Sequence, residues 1–134
     1  MAIPKGVPPR YTNSKQLIAG ADINTINDRT CSFQTLTPTG ATQAAAAAVD
    51  AANVEIPAGA AAAGIRLPVS YPGATVSILN NSGNNQNIYP NGTDKIQNSG
   101  TGYAAASAAV VIATLVSWDL ICIKTGQWQR TITS

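Results

Sequence analysis

Apolar and polar residues alternate most regularly in the second half of the chain, with the period of two that a half-buried strand requires. Ile65-Arg66-Leu67 lies between Gly64 and Pro68, and Ala74-Thr75-Val76-Ser77-Ile78-Leu79 follows the turn pair Pro72-Gly73. Gln86-Asn87-Ile88-Tyr89 sits between clusters of Asn and Pro. Each reads as a short strand. Between two of them, Asn80-Asn81-Ser82-Gly83-Asn84-Asn85 is a run of residues that tolerate left-handed geometry or bond to their own backbone. It predicts a hairpin loop, with the strands from Thr75 and from Gln86 paired antiparallel.

The C-terminal third repeats the pattern. Ala108 to Val116 and Trp118 to Lys124 are apolar and β-branched, and Thr125-Gly126 makes a compact connection to Gln127–Thr133. In that last strand Trp128, Arg130 and Ile132 share one face, and Gln127, Gln129 and Thr131 the other. Leu120 to Ile123 is apolar on both faces, which predicts a central strand covered on both sides.

Upstream the signals are weaker. Between Thr37 and Gly64 the chain is rich in Ala, Thr and Gly, and its alanine runs have high helix propensity. Pro38, Gly40, Pro57 and Gly59 interrupt it, and few large side chains are present to anchor a helix. Short strands joined by small-residue loops are expected, with a helical turn at Ala44 to Val49 as the competing reading. From Ser14 to Asp28, Leu17, Ile18, Ile23 and Ile26 fall near helical spacing but Gly20 breaks the run, so a short helix or an irregular clip is expected. Residues 1 to about 13 contain Pro4, Pro8 and Pro9, which fix φ and remove N–H donors, and they read as an extended arm.

Short strands at even spacing, separated by turn residues, predict an all-β fold: an antiparallel β-sandwich, jelly-roll-like, or a small barrel. The chain of 134 residues divides into an N-terminal arm (1–30) and one sandwich domain (31–134).

Composition narrows the function. Hydrophobic residues make up 45% of the chain but aromatics only 5%, so each core position buries little area and a partner subunit is expected to complete the core. Charged residues are 10% and the net charge is +2, without the basic stripe that phosphate neutralisation needs; nucleic acid is not expected as a partner. Gly, Asp, Asn or Ser cuts every apolar run below a membrane span, and Met1-Ala2-Ile3-Pro4-Lys5-Gly6 does not resemble a secretory signal. A soluble protein made in the cytoplasm is expected.

Candidate chemistry is sparse. There is no histidine, the commonest general base and metal ligand. Asp22, Asp28, Asp50, Glu55, Asp94 and Asp119 form no local pair, and Cys31 and Cys122 lack CxxC spacing. No glycine pattern cradles a phosphate. The sequence therefore predicts no enzyme, no cofactor and no metal. Tyr11, Tyr71, Tyr89, Tyr103, Trp118 and Trp128 offer a carbohydrate platform only if their rings are exposed; the strand pattern predicts that Tyr89 and Trp128 fill the core.

The succession Gly64-Ile65-Arg66-Leu67-Pro68, Pro72-Gly73-Ala74-Thr75-Val76-Ser77-Ile78-Leu79-Asn80, Asn87-Ile88-Tyr89-Pro90 and Gln127-Trp128 resembles small β-structured virion proteins of tailed bacteriophages. The likeness spans roughly residues 35 to 130 in short blocks. It departs after Tyr89, where Ile96-Gln97-Asn98-Ser99-Gly100 stands in place of Ile-Asn-Gly. The resemblance implies a part that decorates or cements a capsid, bound to the major capsid protein at the virion surface, or else a tail or fibre module that recognises a host glycan. Virion parts repeat by symmetry, so a homo-oligomer, dimer or trimer, is expected. The arm then reads as an intersubunit clamp. Its apolar anchors are Ile3, Val7, Tyr11, Leu17, Ile18, Ile23 and Ile26, with Lys5, Arg10 and Lys15 available to acidic patches.

Overall fold

The computed structural model describes residues 32–98 and 102–133, with the backbone alone for Ile132 and Thr133. The described residues hold strands and no helix. In chain order the strands are β1 (Phe33–Thr35), β2 (Ala47–Ala48), β3 (Asn53–Ile56), β4 (Gly64–Arg66), β5 (Thr75–Asn80) and β6 (Gln86–Tyr89). There follow β7 (Lys95–Asn98), β8 (Gly102–Tyr103), β9 (Val110–Ile112), β10 (Val116–Lys124) and β11 (Gln127–Thr133).

Two mixed sheets form a sandwich-like arrangement, and no barrel closes. The larger sheet has the order β1-β3-β5-β10-β11-β7-β8 and the smaller β2-β4-β6-β9. Val54, Ile56, Val76, Ile78, Trp118, Leu120 and Trp128 from the first meet Ile65, Ile88, Val110 and Ile112 from the second in one buried cluster. These residues are the inward half of each period-two pattern, so burying them on one side fixes which face of each strand turns inward.

The pairing differs from the antiparallel, jelly-roll-like expectation. From β1 to β6 the chain alternates between sheets, so strands that are neighbours in sequence face each other across the core. Next-but-one strands pair parallel, Phe33↔Asn53↔Ser77 in one sheet and Ala47↔Ile65↔Ile88 in the other. Among the described strands the antiparallel pairs are β6–β9, β7–β8, β5–β10 and β10–β11, with one isolated antiparallel bridge between Thr39 and Gly64.

The expected hairpin between β5 and β6 is therefore absent. Both strands bury alternate apolar residues, and the chain places Val76 and Ile78 opposite Ile88 rather than beside it. The polar run steers this crossing. Asn80 is fully buried; its Nδ2 donates to the carbonyls of Asn84 (2.8 Å), Ile112 (3.1 Å) and Ala113 (3.1 Å), while its Oδ1 accepts from the Ser82 hydroxyl (2.7 Å). Gln86 Nε2 donates to Ser82 Oγ at 2.9 Å, so the loop is tied at both ends. A buried amide with all these partners satisfied holds one path for the chain.

The alanine-rich segment forms a turn at residues 43–45 and the short strand β2, in place of a helical turn. A clip holds it on the outer side of the small sheet. Tyr89 donates its hydroxyl to Ala41 O (2.7 Å), Arg66 Nη1 donates to Gln43 O (3.1 Å), and Gln43 Nε2 donates to Pro90 O and Gly92 O. Gly64 is required here, because a Cβ would lie 2.7 Å from the Tyr89 ring.

The β10–β11 hairpin forms as expected, closed by Thr125-Gly126 with Gly126 at φ +85°. The expected strand from Ala108 to Val116 is shorter: β9 ends at Ile112, and a turn through Leu115 carries the chain to the large sheet. β10 is central, between β5 and β11, but it is covered on one face only. Trp118, Leu120 and Cys122 are buried, whereas Ile121 and Ile123 are 40% and 56% exposed. The four-stranded sheet covers one side of β10, and nothing among the described residues covers the other.

Candidate functional site

The outer face of the large sheet, uncovered among the described residues, holds an open concavity. Strand registers place Phe33, Asn53, Ser77 and Asp119 in one row across β1, β3, β5 and β10. Glu55, Leu79 and Ser117 form the next row. Together with parts of Val54 and Ile78 they line an open groove of about 400 Å³. These are the outward positions of the same strands whose inward positions build the core, so the groove's floor is rigid.

Its chemistry is apolar with acidic margins. The Ser77 hydroxyl donates to Asp119 Oδ1 at 2.6 Å, and Asn81 Nδ2 donates to Glu55 Oε1 at 3.1 Å. No cationic side chain lines the groove, and among the described residues neither carboxylate has an ion-pair partner. Phe33 is 65% exposed at one margin. Further along β10 the same face continues into Ile121 and Ile123.

Near the Leu79 end, Leu115 holds a left-handed backbone at φ +61° while its side chain is 70% exposed. Its N–H donates to Asn80 O at 2.7 Å, which ties this turn to the end of β5. An apolar, non-glycine residue in this region costs on the order of 1 kcal/mol and persists only where its surroundings hold it.

The interface residues expected from sequence, Ile3, Lys5, Val7, Arg10, Tyr11, Lys15, Leu17, Ile18, Ile23 and Ile26, lie outside the described residues, as does Cys31. Cys122 is buried in the core, its thiol 3.2 Å from Lys124 O. The aromatic residues are dispersed. Trp118 and Trp128 are core residues, Tyr89 is buried in the clip, and only Tyr71 and Tyr103 of the described tyrosines are exposed. The amides of Asn80 and Asn84 are engaged by the fold, the latter donating to Gly59 O at 2.9 Å. Arg130 lies 4.1 Å over the Trp118 ring, and burial lowers its guanidinium pKa. No group of three or more His, Cys, Asp or Glu that would hold a metal exists among the described residues.

Sequence reasoning did not find the groove. Its residues are individually ordinary outward positions, and the only available signal was the apolar character of Leu79, Ile121 and Ile123 at positions that the core does not need. Comparison of the chain with protein families, curated proteins and solved structures finds no match.

Proposed function

We propose that the chain is a structural protein of a tailed-phage particle, cementing or decorating the capsid by binding between shell subunits. The single observation that carries this reading is the outer face of β10. The central strand of the large sheet turns Ile121 and Ile123 to solvent beside an apolar groove, although strand alternation allows polar residues at both positions at no cost to the core. Burying the remaining half of each such side chain against a partner is worth roughly 1 kcal/mol. The partner class is the major capsid protein together with further copies of this chain, the place of action is the virion surface, and the arm supplies the clamp. The strand blocks that resemble phage virion proteins support the same reading.

Purified full-length chain is expected to add to expanded empty shells and raise their melting temperature. Shells whose melting temperature is unchanged at saturating protein would contradict the proposal.

A second reading, a tail or fibre module that binds a host glycan, is supported by the groove's chemistry. Phe33 offers an aromatic face beside Asn53, with Glu55 and Asp119 further across the groove, and these three are hydrogen-bonding groups suited to sugar hydroxyls. On this reading glycan-array binding by the full chain is lost in Phe33→Ala; an array with no binding sugar removes it.

A further inference from the structure

The groove has an apolar floor, an aromatic margin and two carboxylates that have no cationic partner among the described residues. Residues 1–13 have the complementary composition. They hold Lys5 and Arg10 and no carboxylate, with Ile3, Val7 and Tyr11 as apolar side chains and Pro4, Pro8 and Pro9 between them. We infer that this groove is the seat of the proline-rich N-terminal arm of a second copy of the chain. The inference rests on the proposal that copies of the chain lie side by side in an assembly.

Three observations support it. The first is charge. The described residues carry four cations, Arg66, Lys95, Lys124 and Arg130, and none lines the groove, whereas residues 1–13 are purely cationic. An acidic groove facing a basic peptide favours encounter and fixes register.

The second is spacing. Glu55 and Asp119 lie two strands apart and two residues out of row. At ~4.8 Å per strand and ~3.3 Å per residue their Cα atoms are about 12 Å apart. A docked segment in the polyproline geometry that prolines favour would place Lys5 and Arg10 about 15 Å apart at ~3.1 Å per residue. Long flexible side chains absorb that difference. A proline-rich peptide on an apolar groove with one aromatic margin also needs few backbone donors, and its fixed φ angles reduce the entropy lost on ordering.

The third is reach. The described domain begins at Ser32, one residue before Phe33 at the groove's margin. Residues 14–31 link the arm to this point and extend to roughly 60 Å at ~3.3 Å per residue. A compact domain of about 100 residues is roughly 35 Å across. That span is long enough for the arm to pass its own domain and meet a neighbour's groove, and exchange of an identical segment between copies is a low-cost route to a symmetric oligomer.

The test is the mass of the full-length chain over a concentration series, by light scattering or sedimentation. The wild type is expected to associate. Lys5→Glu with Arg10→Glu is expected to weaken association on the order of a hundredfold, about tenfold for each lost charge pair. Glu55→Lys with Asp119→Lys is expected to act equally, and an equimolar mixture of the two variants to associate again, because reversed arms then meet reversed grooves. The arm variant alters nothing in the sandwich, so its effect does not depend on whether the groove variant folds. A wild type that stays monomeric at every concentration, association that the arm variant leaves intact, or a mixture that does not re-associate would each overturn the inference. Shell stabilisation is read separately, so failure of the arm's seat and failure of the capsid reading are distinguishable.

Discussion

On the inner face of the large sheet, Trp118, Leu120 and Cys122 of β10 pack with Val76, Ile78 and Trp128 against the smaller sheet. One residue out of step on the same strand, Asp119, Ile121 and Ile123 face solvent. The two faces share one backbone and one set of hydrogen bonds, so the difference between them lies in coverage alone. It teaches that apolar content on a strand reports two separate things. The inner residues are the fold's own core, and the outer isoleucines are apolar area that the described residues leave uncovered.

Substitutions on the two faces should separate these roles. Trp128→Ala, in the centre of the buried cluster, is expected to cost about 3–5 kcal/mol in urea unfolding. A loss below 1 kcal/mol would mean that the indole is not a core element.

Asn80→Ala is expected to cost roughly 2 kcal/mol. It leaves the buried Ile112 carbonyl without its side-chain donor and unties the loop that crosses between sheets. The same unfolding measurement checks it, and an unchanged midpoint would show that the polar run does not steer the chain.

Gly64→Ala brings a Cβ against the Tyr89 ring and is expected to cost about 1–2 kcal/mol, with hydrogen exchange accelerated at residues 39–46, the clip that covers the ring. Uniform exchange across the chain would contradict that local assignment.

The smallest effect is expected outside. Ile121→Ser and Ile123→Ser should shift stability by no more than about 0.5 kcal/mol in the isolated chain, while lowering its addition to shells. If either costs as much as an inner substitution, the outer face is already covered in the free protein and the comparison breaks.

Part of this architecture was legible in the residues. Alternation and turn residues located β4, β5, β6, β10 and β11 to within a residue or two, and Thr125-Gly126 marked the hairpin that forms. Alternation tells which face of a strand is buried and says nothing about which strand lies beside it, so the parallel pairings of β1–β3–β5 and β2–β4–β6 were not readable. Asn80 misled for a related reason. An asparagine in a polar run resembles a turn residue, and only its burial against Ile112 and Ala113 reveals it as the tie between the two sheets. At β10, apolar residues on both faces suggest coverage on both sides, whereas among the described residues only one side is covered. The groove draws on strands far apart in sequence, and it became visible only once their registers were known.

The central claim of the proposed function is that the outer face is covered by partners in a repeated lattice. The most direct test of the proposed role is the copy number of this chain relative to the major shell subunit, measured by quantitative mass spectrometry on purified particles produced from the genome that carries its gene. The account predicts a ratio on the order of one, because a shell lattice offers that many equivalent sites; absence of the chain from the particles would contradict it.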